Sequence, residues 1–292
     1  MQKIVPCLWF DNEAEEAAKF YTSIFPNSKI LDKVPYMVET PSNKPIGSTM
    51  TVYFKIDNFK FLALNGGSFF KMNPSISFHI RCKTEKEVDE YYEKLSEQGK
   101  VLMGLDQYPF SKRYAWVQDK FGVSWQIIYT EDYFSQSIVP ALMFTQDICG
   151  KAKEAVKDYV KTFPESKVEA ISEYGKNEFG EKEDNVMYSK FTLLSEEFIA
   201  MDSGLSHKFK FSEGISLMIE CKDQKEMNYY YDNLSAVSEA EVCGWIKDKY
   251  GVSWQIIPSD FMKFDKNKKA MGAMLQMKKI DIDKLKAAYD ND

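Results

Sequence analysis

Residues 3–10 alternate, with Ile4, Pro6, Leu8 and Phe10 on one face, the two-residue period of a strand. From 13 to 25 the period lengthens. Ala14, Ala17, Ala18, Tyr21, Ile24 and Phe25 recur at helical spacing, with Asp11 or Asn12 placed to cap the helix and Pro26 to stop it. Strand-like runs follow at 28–37, 48–57 and 59–65, closed by Gly66-Gly67. The cycle then restarts with a strand at 75–82. Thr84 opens a second helix and Glu87 completes a capping box, while Val88, Tyr91, Tyr92 and Leu95 form its apolar stripe. Strands near 101–105, 113–118 and 123–130 complete the pattern, which reads β-α-β-β-β twice over.

The whole pattern then returns. Ile4-Val5-Pro6-Cys7-Leu8-Trp9-Phe10 recurs as Ile138-Val139-Pro140-Ala141-Leu142-Met143-Phe144, and Phe25-Pro26-Asn27-Ser28-Lys29 as Phe163-Pro164-Glu165-Ser166-Lys167. Ile76-Ser77-Phe78 with Cys82 recurs as Ile215-Ser216-Leu217 with Cys221. The clearest copy is Asp119-Lys120-Phe121-Gly122-Val123-Ser124-Trp125-Gln126-Ile127-Ile128 against Asp248-Lys249-Tyr250-Gly251-Val252-Ser253-Trp254-Gln255-Ile256-Ile257. Elements that recur in the same order define a tandem repeat. The expected organisation is one domain over 1–135, a second over 136–260, and a helical arm over 261–292. In the arm Met271, Met274, Leu275 and Met277 mark one short helix, and Asp281 caps another carrying Ile282, Leu285 and Tyr289. Such an arm is expected to pack on its own chain or on a partner subunit.

Composition narrows the function. The 292 residues carry 38 Lys+Arg against 44 Asp+Glu, a net charge of −6, which repels phosphate backbones and predicts no nucleic-acid partner. No run of apolar residues is long enough for a membrane span, and the N-terminus does not read as a signal peptide. Five cysteines without a Cys-x-x-Cys pair fit a reducing, cytoplasmic setting, with the thiols as small core residues. Only two histidines occur, His79 and His207, so a three-histidine metal centre within one chain is excluded.

Paired β-α-β-β-β units, a first helix ending Phe20-Tyr21-Thr22-Ser23-Ile24-Phe25-Pro26-Asn27-Ser28-Lys29, and the final hairpin Asp119–Gln126 resemble the vicinal oxygen chelate superfamily of glyoxalases, bleomycin-binding proteins and extradiol dioxygenases. Trp9-Phe10-Asp11, Leu64-Asn65-Gly66-Gly67 and Met277-Lys278-Lys279-Ile280-Asp281-Ile282 are similar to its PhnB-like group, often labelled 3-demethylubiquinone-9 3-methyltransferase-like. The resemblance implies an α+β fold of tandem glyoxalase/bleomycin-resistance-like domains, each with a curled mixed sheet around a cavity and helices on the convex face. It also implies that a site needs two β-α-β-β-β units facing each other, so the chain is expected to be a pseudo-dimeric monomer or a homodimer. Metal-dependent relatives place His, Glu or Gln at positions that here read Val5, Ser75 and Gln126, and in the second repeat Val139, Gly214 and Gln255. No carboxylate stands among them, which predicts no metal. The methyltransferase label meets no Gly-rich strand-turn-helix for S-adenosylmethionine, because Gly66-Gly67 leads to Ser68-Phe69-Phe70 and another strand. No cofactor is expected.

Alternation places Ile76, Phe78 and Ile80 toward the helix, and Ser75, Ser77, His79 and Arg81 toward the cavity, with Val5, Cys7 and Trp9 on the first strand. The expected ligand-binding set is Trp9, Ser77, His79, Arg81 and Gln126. His79 is the candidate for proton transfer, set against a plain hydrogen-bonded strand histidine. His79 and Arg81 align with Met218 and Glu220, which makes the cavity of repeat one the more polar and cationic. Tyr53 and Trp116 could line a pocket for a flat ligand, Trp125 reads as core, and His207 as a solvated loop residue. Three functions compete: metal-independent binding of a small polar or aromatic molecule, a metal-dependent lyase, isomerase or dioxygenase, and a structural or interaction protein.

Overall fold

The alternating segment Ile4–Phe10 (β1) has two edges, and the chain fills both from a distance. On one side β1 pairs in parallel with Phe59–Asn65 (β4). On the other it pairs antiparallel with Ile215–Cys221 (β13), which starts 211 residues downstream, with Ile4 opposite Ile219 and Cys7 opposite Ser216. Lys29–Pro35 (β2) and Thr49–Ile56 (β3) extend one side, and Trp245–Lys247 (β14) and Ser253–Pro258 (β15) the other, giving the order β14-β15-β13-β1-β4-β3-β2. The second sheet is built the same way. Ile76–Cys82 (β5), Lys100–Tyr108 (β6), Ser111–Gln118 (β7) and Ser124–Tyr129 (β8) join Ile138–Thr145 (β9), Lys167–Glu173 (β10), Val186–Leu193 (β11) and Glu196–Ser203 (β12). The order is β10-β11-β12-β9-β5-β8-β7-β6. Each sheet therefore joins the first half of one repeat to the second half of the other. This is a computed structural model, and it describes residues 2–176 and 180–291.

Two helices cover one face of each sheet. Ala14–Ile24 (α1) and Gln224–Leu234 (α4) lie on the first, Glu85–Ser96 (α2) and Ala152–Thr162 (α3) on the second. The helix-bearing faces meet in one core: Phe61 of β4 touches Phe78 of β5 at 5.0 Å, and Tyr21 of α1 touches Trp125 of β8 at 5.3 Å. The repeated Asp-Lys-Phe/Tyr-Gly-Val-Ser-Trp motif fastens it. Asp119 Oδ2 accepts from Trp125 Nε1 and from Tyr21 OH, both at 2.7 Å, while its Oδ1 accepts from the backbone of Phe121 and Val123. Asp248 repeats this with Trp254, Tyr159, Tyr250 and Val252. The intervening Gly122 and Gly251 sit at φ 91°, a conformation glycine adopts without a Cβ penalty. Trp125 and Trp254 are fully buried, and each removes about 200 Å² from water, on the order of 5 kcal/mol.

Two expectations change. Neither Asp11 nor Asn12 caps α1; the preceding residue is Glu13 and makes no side-chain cap. Asn65, at the end of β4, accepts from Ala14 N–H at 2.9 Å instead, and Asp202 does the same for Ala152 at 3.2 Å. The Thr84–Glu87 capping box is present as expected. The second repeat lacks a counterpart of β6: Leu95 to Asp119 spans 24 steps and Leu234 to Asp248 only 14, leaving a short 3-10 turn and the three-residue β14. The arm holds a 3-10 turn at Phe261–Lys263, then Lys268–Met274 (α5) and Ile282–Asp290 (α6), the last capped by Asp281 through Lys284 N–H. Among the described residues no helix is long and apolar enough to cross a membrane.

Candidate functional site

Strand alternation sends every second side chain away from the helices, to an outer face on each sheet. On the second sheet β5 presents Ser77, His79 and Arg81, with Gln126 of β8 beside His79 and Val139 of β9 on its other side. The row through Ser77 continues to Ala141, Ile199 and Lys190. Val139, Ala141 and Ile199 form a small buried apolar floor, packed by Tyr188 and Met201 and separate from the main core. Polar side chains surround this floor. Gln126 Nε2 donates to Ser77 Oγ at 2.9 Å, and Gln126 Oε1 accepts from Tyr114 OH at 2.7 Å. Arg81 Nη1 donates to Glu197 Oε2 at 2.8 Å and to Gln136 O at 3.3 Å. Lys190 approaches the same Glu197 oxygen at 3.0 Å and Glu169 at 2.9 Å. Two cations thus share Glu197, in a setting where the Arg81 and Glu197 side chains are only 11% and 14% exposed.

His79 is the electrostatic centre of this face. It is 6% exposed, and its Nε2 has no hydrogen-bond partner. Burial first and the Arg81 charge second push its pKa down to about 3, against a hydrogen bond with Gln126 that favours the charged ring. The imidazole is therefore neutral at neutral pH. Its unpartnered Nε2 is a buried polar atom that donates or accepts according to the tautomer.

The first sheet has an equivalent face with a different filling. Its rows run Tyr53–Leu62–Cys7–Ser216 and Val5–Met218–Gln255. Gln255 Nε2 donates to Ser216 Oγ at 2.9 Å, copying Gln126 and Ser77. The ion pair recurs with its signs exchanged: Lys60 approaches Glu220 at 4.0 Å where Glu197 meets Arg81. The arm crosses this face from the end of β15 to the far edge. Tyr53 OH donates to Asp265 Oδ2 at 3.3 Å, and Lys266 pairs with Asp32 at 2.5 Å. Phe264, Asp265, Ala270 and Met271 are buried there. Asp265, within the lysine-rich Lys263–Lys269 stretch, is 1% exposed because it lands on Tyr53.

The structure brings Ser77, His79, Arg81 and Gln126 together on one face and places Trp9 on the other sheet, because β1 pairs with β13 and not with β5. Trp9 packs on Trp245 and Phe70, and its Nε1 donates to Gly67 O at 2.7 Å. A Cβ on Gly66 would stand 2.2 Å from the Trp9 ring, so the double glycine seats an indole and forms no cofactor turn. Tyr53 lies under the arm, and Trp116 bonds Ser124 at the edge of the second face. His207 is half-buried, with Nε2 2.8 Å from Ser203 Oγ, and not a solvated loop residue. Sequence reasoning missed Tyr188, Lys190, Glu197 and Ala141, and took Val139 only as a metal-ligand position without a ligand. Their signal was present in the alternation of repeat two, but only the exchange of strands carries them to β5. The donors that share a row with Gln126 are His79 alone, and with Gln255 none beyond Met218 sulfur, a set that does not fit a divalent cation.

The family described as 3-demethylubiquinone-9 3-methyltransferase matches the chain twice, over residues 2–128 and 136–257. Among solved structures, the PhnB protein from Bacillus cereus is 37% identical over 44% of this chain and 100% of its own, with a TM-score of 0.41. A protein from Staphylococcus aureus is 31% identical over 45% of this chain and 98% of its own, with a TM-score of 0.19. Glyoxalase I from Zea mays spans 90% of this chain and 94% of its own at 14% identity and a TM-score of 0.58, a likeness of fold. No curated protein matches.

Proposed function

The chain belongs to the 3-demethylubiquinone-9 3-methyltransferase family, and from that premise we propose that it binds a small polar or aromatic molecule, without a metal, on the outer face of the second sheet. The observation that carries this reading is the buried, unpartnered Nε2 of His79 beside the Arg81–Glu197–Lys190 cluster. An orphaned polar nitrogen in a buried setting costs about 1–3 kcal/mol, and a hydrogen-bonding ligand group would relieve that cost. The equivalent face of the first sheet, with Met218 in place of His79, is filled by the chain's own arm. The double glycine that could have cradled a methyl-donor cofactor is occupied by Trp9.

The test is a thermal-shift screen of polar aromatic and anionic compounds against the full chain and His79→Met, which installs the residue of the other face. At least one compound should raise the Tm of the parent and lose most of that effect in the variant. A flat response across the panel, or shifts that persist in His79→Met, would overturn the assignment of the site.

A further inference from the structure

We propose that residues 260–276 are a strap that closes over the outer face of the first sheet in acid and lifts from it toward neutral pH, a device independent of any ligand on the second sheet. The chain is pinned on both sides of this segment. Upstream, Ser259 N–H donates to Cys221 O at 2.7 Å and holds the end of β15 on β13. Downstream, Cys243 and Gly244 N–H donate to Met277 O and Lys278 O, each at 2.8 Å, and Gln224 Nε2 donates to Ile280 O at 3.0 Å. Ile280 is buried, and a Cβ on Gly244 would stand 2.9 Å from it. Between the pins, side chains do the holding. Tyr53 of β3 meets Asp265, Asp32 of β2 meets Lys266, and Phe264, Ala270 and Met271 lie buried. The seven-residue α5 is too short to persist off the sheet, so lifting also unwinds it.

The closed contact is poorly matched. Among the described residues five buried side-chain polar atoms have no partner, and three of them belong to this contact: Thr51 Oγ1, Ser253 Oγ and Asp265 Oδ1. Thr51 alternates with Tyr53 on β3, and Ser253 of β15 lies opposite Ser216, so both stand on the face that the strap crosses. Each such atom costs free energy while dry and recovers it from water when the strap lifts. Asp265 ties the mismatch to the proton concentration. Burial pushes its pKa from 3.8 to about 7; Tyr53 and Lys266 oppose the rise, and Asp32 adds to it. Behind it, burial raises the Tyr53 hydroxyl and pushes the Cys7 thiol up to about 12, so both stay neutral. Glu220, paired with Lys60, is raised by burial as well. In water the Asp265 carboxyl returns to its ordinary range. The closing constant then falls about tenfold per pH unit from about pH 4 to about pH 7, and levels off above.

The experiment is amide hydrogen exchange, read by peptide mass, on the full chain and on Asp265→Asn side by side at pH 5 and pH 8. Taking the ratio of parent to variant at each pH cancels the intrinsic pH dependence of exchange and the titration of Glu220, which both chains share. The protection ratio over 264–274 should fall at least 10-fold from pH 5 to pH 8, toward about 100-fold. The peptide holding Cys243 and Gly244, whose amides bond the downstream pin, should keep the same ratio at both pH values. Tyr53→Phe removes the donor to Asp265 without adding charge, and should lower protection of 264–274 at pH 5. Asp265→Ser replaces Asp265→Asn in the same comparison if the latter does not fold. A ratio over 264–274 that is the same at both pH values overturns the strap. An equal fall at Cys243 and Gly244 also overturns it, because the whole arm then leaves or the chain unfolds globally.

Discussion

Asp265 offers a quantitative test of how the arm is held. Its carboxyl is 1% exposed, Oδ2 accepts from Tyr53 OH at 3.3 Å, and Oδ1 has no partner. Burial raises its pKa from 3.8 to about 7, and the Tyr53 bond and Lys266 only partly oppose this. A carboxyl whose folded pKa is raised contributes stability that is complete below about pH 3.8 and is lost as pH rises through 7. At about 1.4 kcal/mol per pKa unit, the span corresponds to at most ~4 kcal/mol. Asp265→Asn keeps the size and the hydrogen bond and removes the ionisation. Urea unfolding of parent and variant at pH 4 and pH 8 isolates the effect, because Asp119 and Glu196, also raised by burial, are common to both. The parent should lose 2–4 kcal/mol more than the variant between the two pH values, an order-of-magnitude range. If the arm lets go before the sheets unfold, the loss will instead appear as faster proteolytic cutting within 259–281 at pH 8 in the parent alone. Parallel stability curves, within ~0.5 kcal/mol, together with equal proteolysis would refute the buried-carboxyl account.

Other consequences are direct. Asp119→Ala strips two buried donors, Tyr21 OH and Trp125 Nε1, of their acceptor, and should cost about 3–5 kcal/mol in urea unfolding; a loss under ~1 kcal/mol would show that the staple contributes little. Gly66→Ala should displace the Trp9 indole, shift the tryptophan emission and destabilise by about 1–3 kcal/mol, and Trp9→Ala in the same chain should recover part of that loss. The His79 ring, with its pKa pushed down to about 3, should show no proton NMR titration between pH 5 and 8. Because the folded pKa of this base is depressed, its contribution to stability is present above about pH 6.5 and lost as pH falls toward 3; a midpoint near 6 would contradict its buried setting.

Much of the fold was legible because it is local. The period switch at residue 13, the Thr84–Glu87 box and the Asp119 and Asp248 motifs each depend on residues a few positions apart. What escaped is what distance decides. Ile76-Ser77-Phe78-His79-Ile80 and Ile215-Ser216-Leu217-Met218-Ile219 alternate identically, so either strand suits the open edge of β1, and no local pattern chooses between them. The true N-terminal partner of α1, Asn65, lies 51 residues from Ala14. The site residues on β5 and β8 could be named, but their roof and floor came from the other repeat.

The exchange of strands also sets a schedule for synthesis. Ile4 has no partner on its outer edge until Ile219 has been made, and at about 5–20 residues per second that interval is roughly 10–40 s. During it the outer edge of β1 is open, and a second nascent chain is a competitor for it. Joining the repeats in one polypeptide gives the correct partner a high effective concentration, so the linker at 130–137 acts as a kinetic guard against entanglement between neighbouring ribosomes' products. Two separately expressed halves, each holding one repeat, would face that competition without the tether.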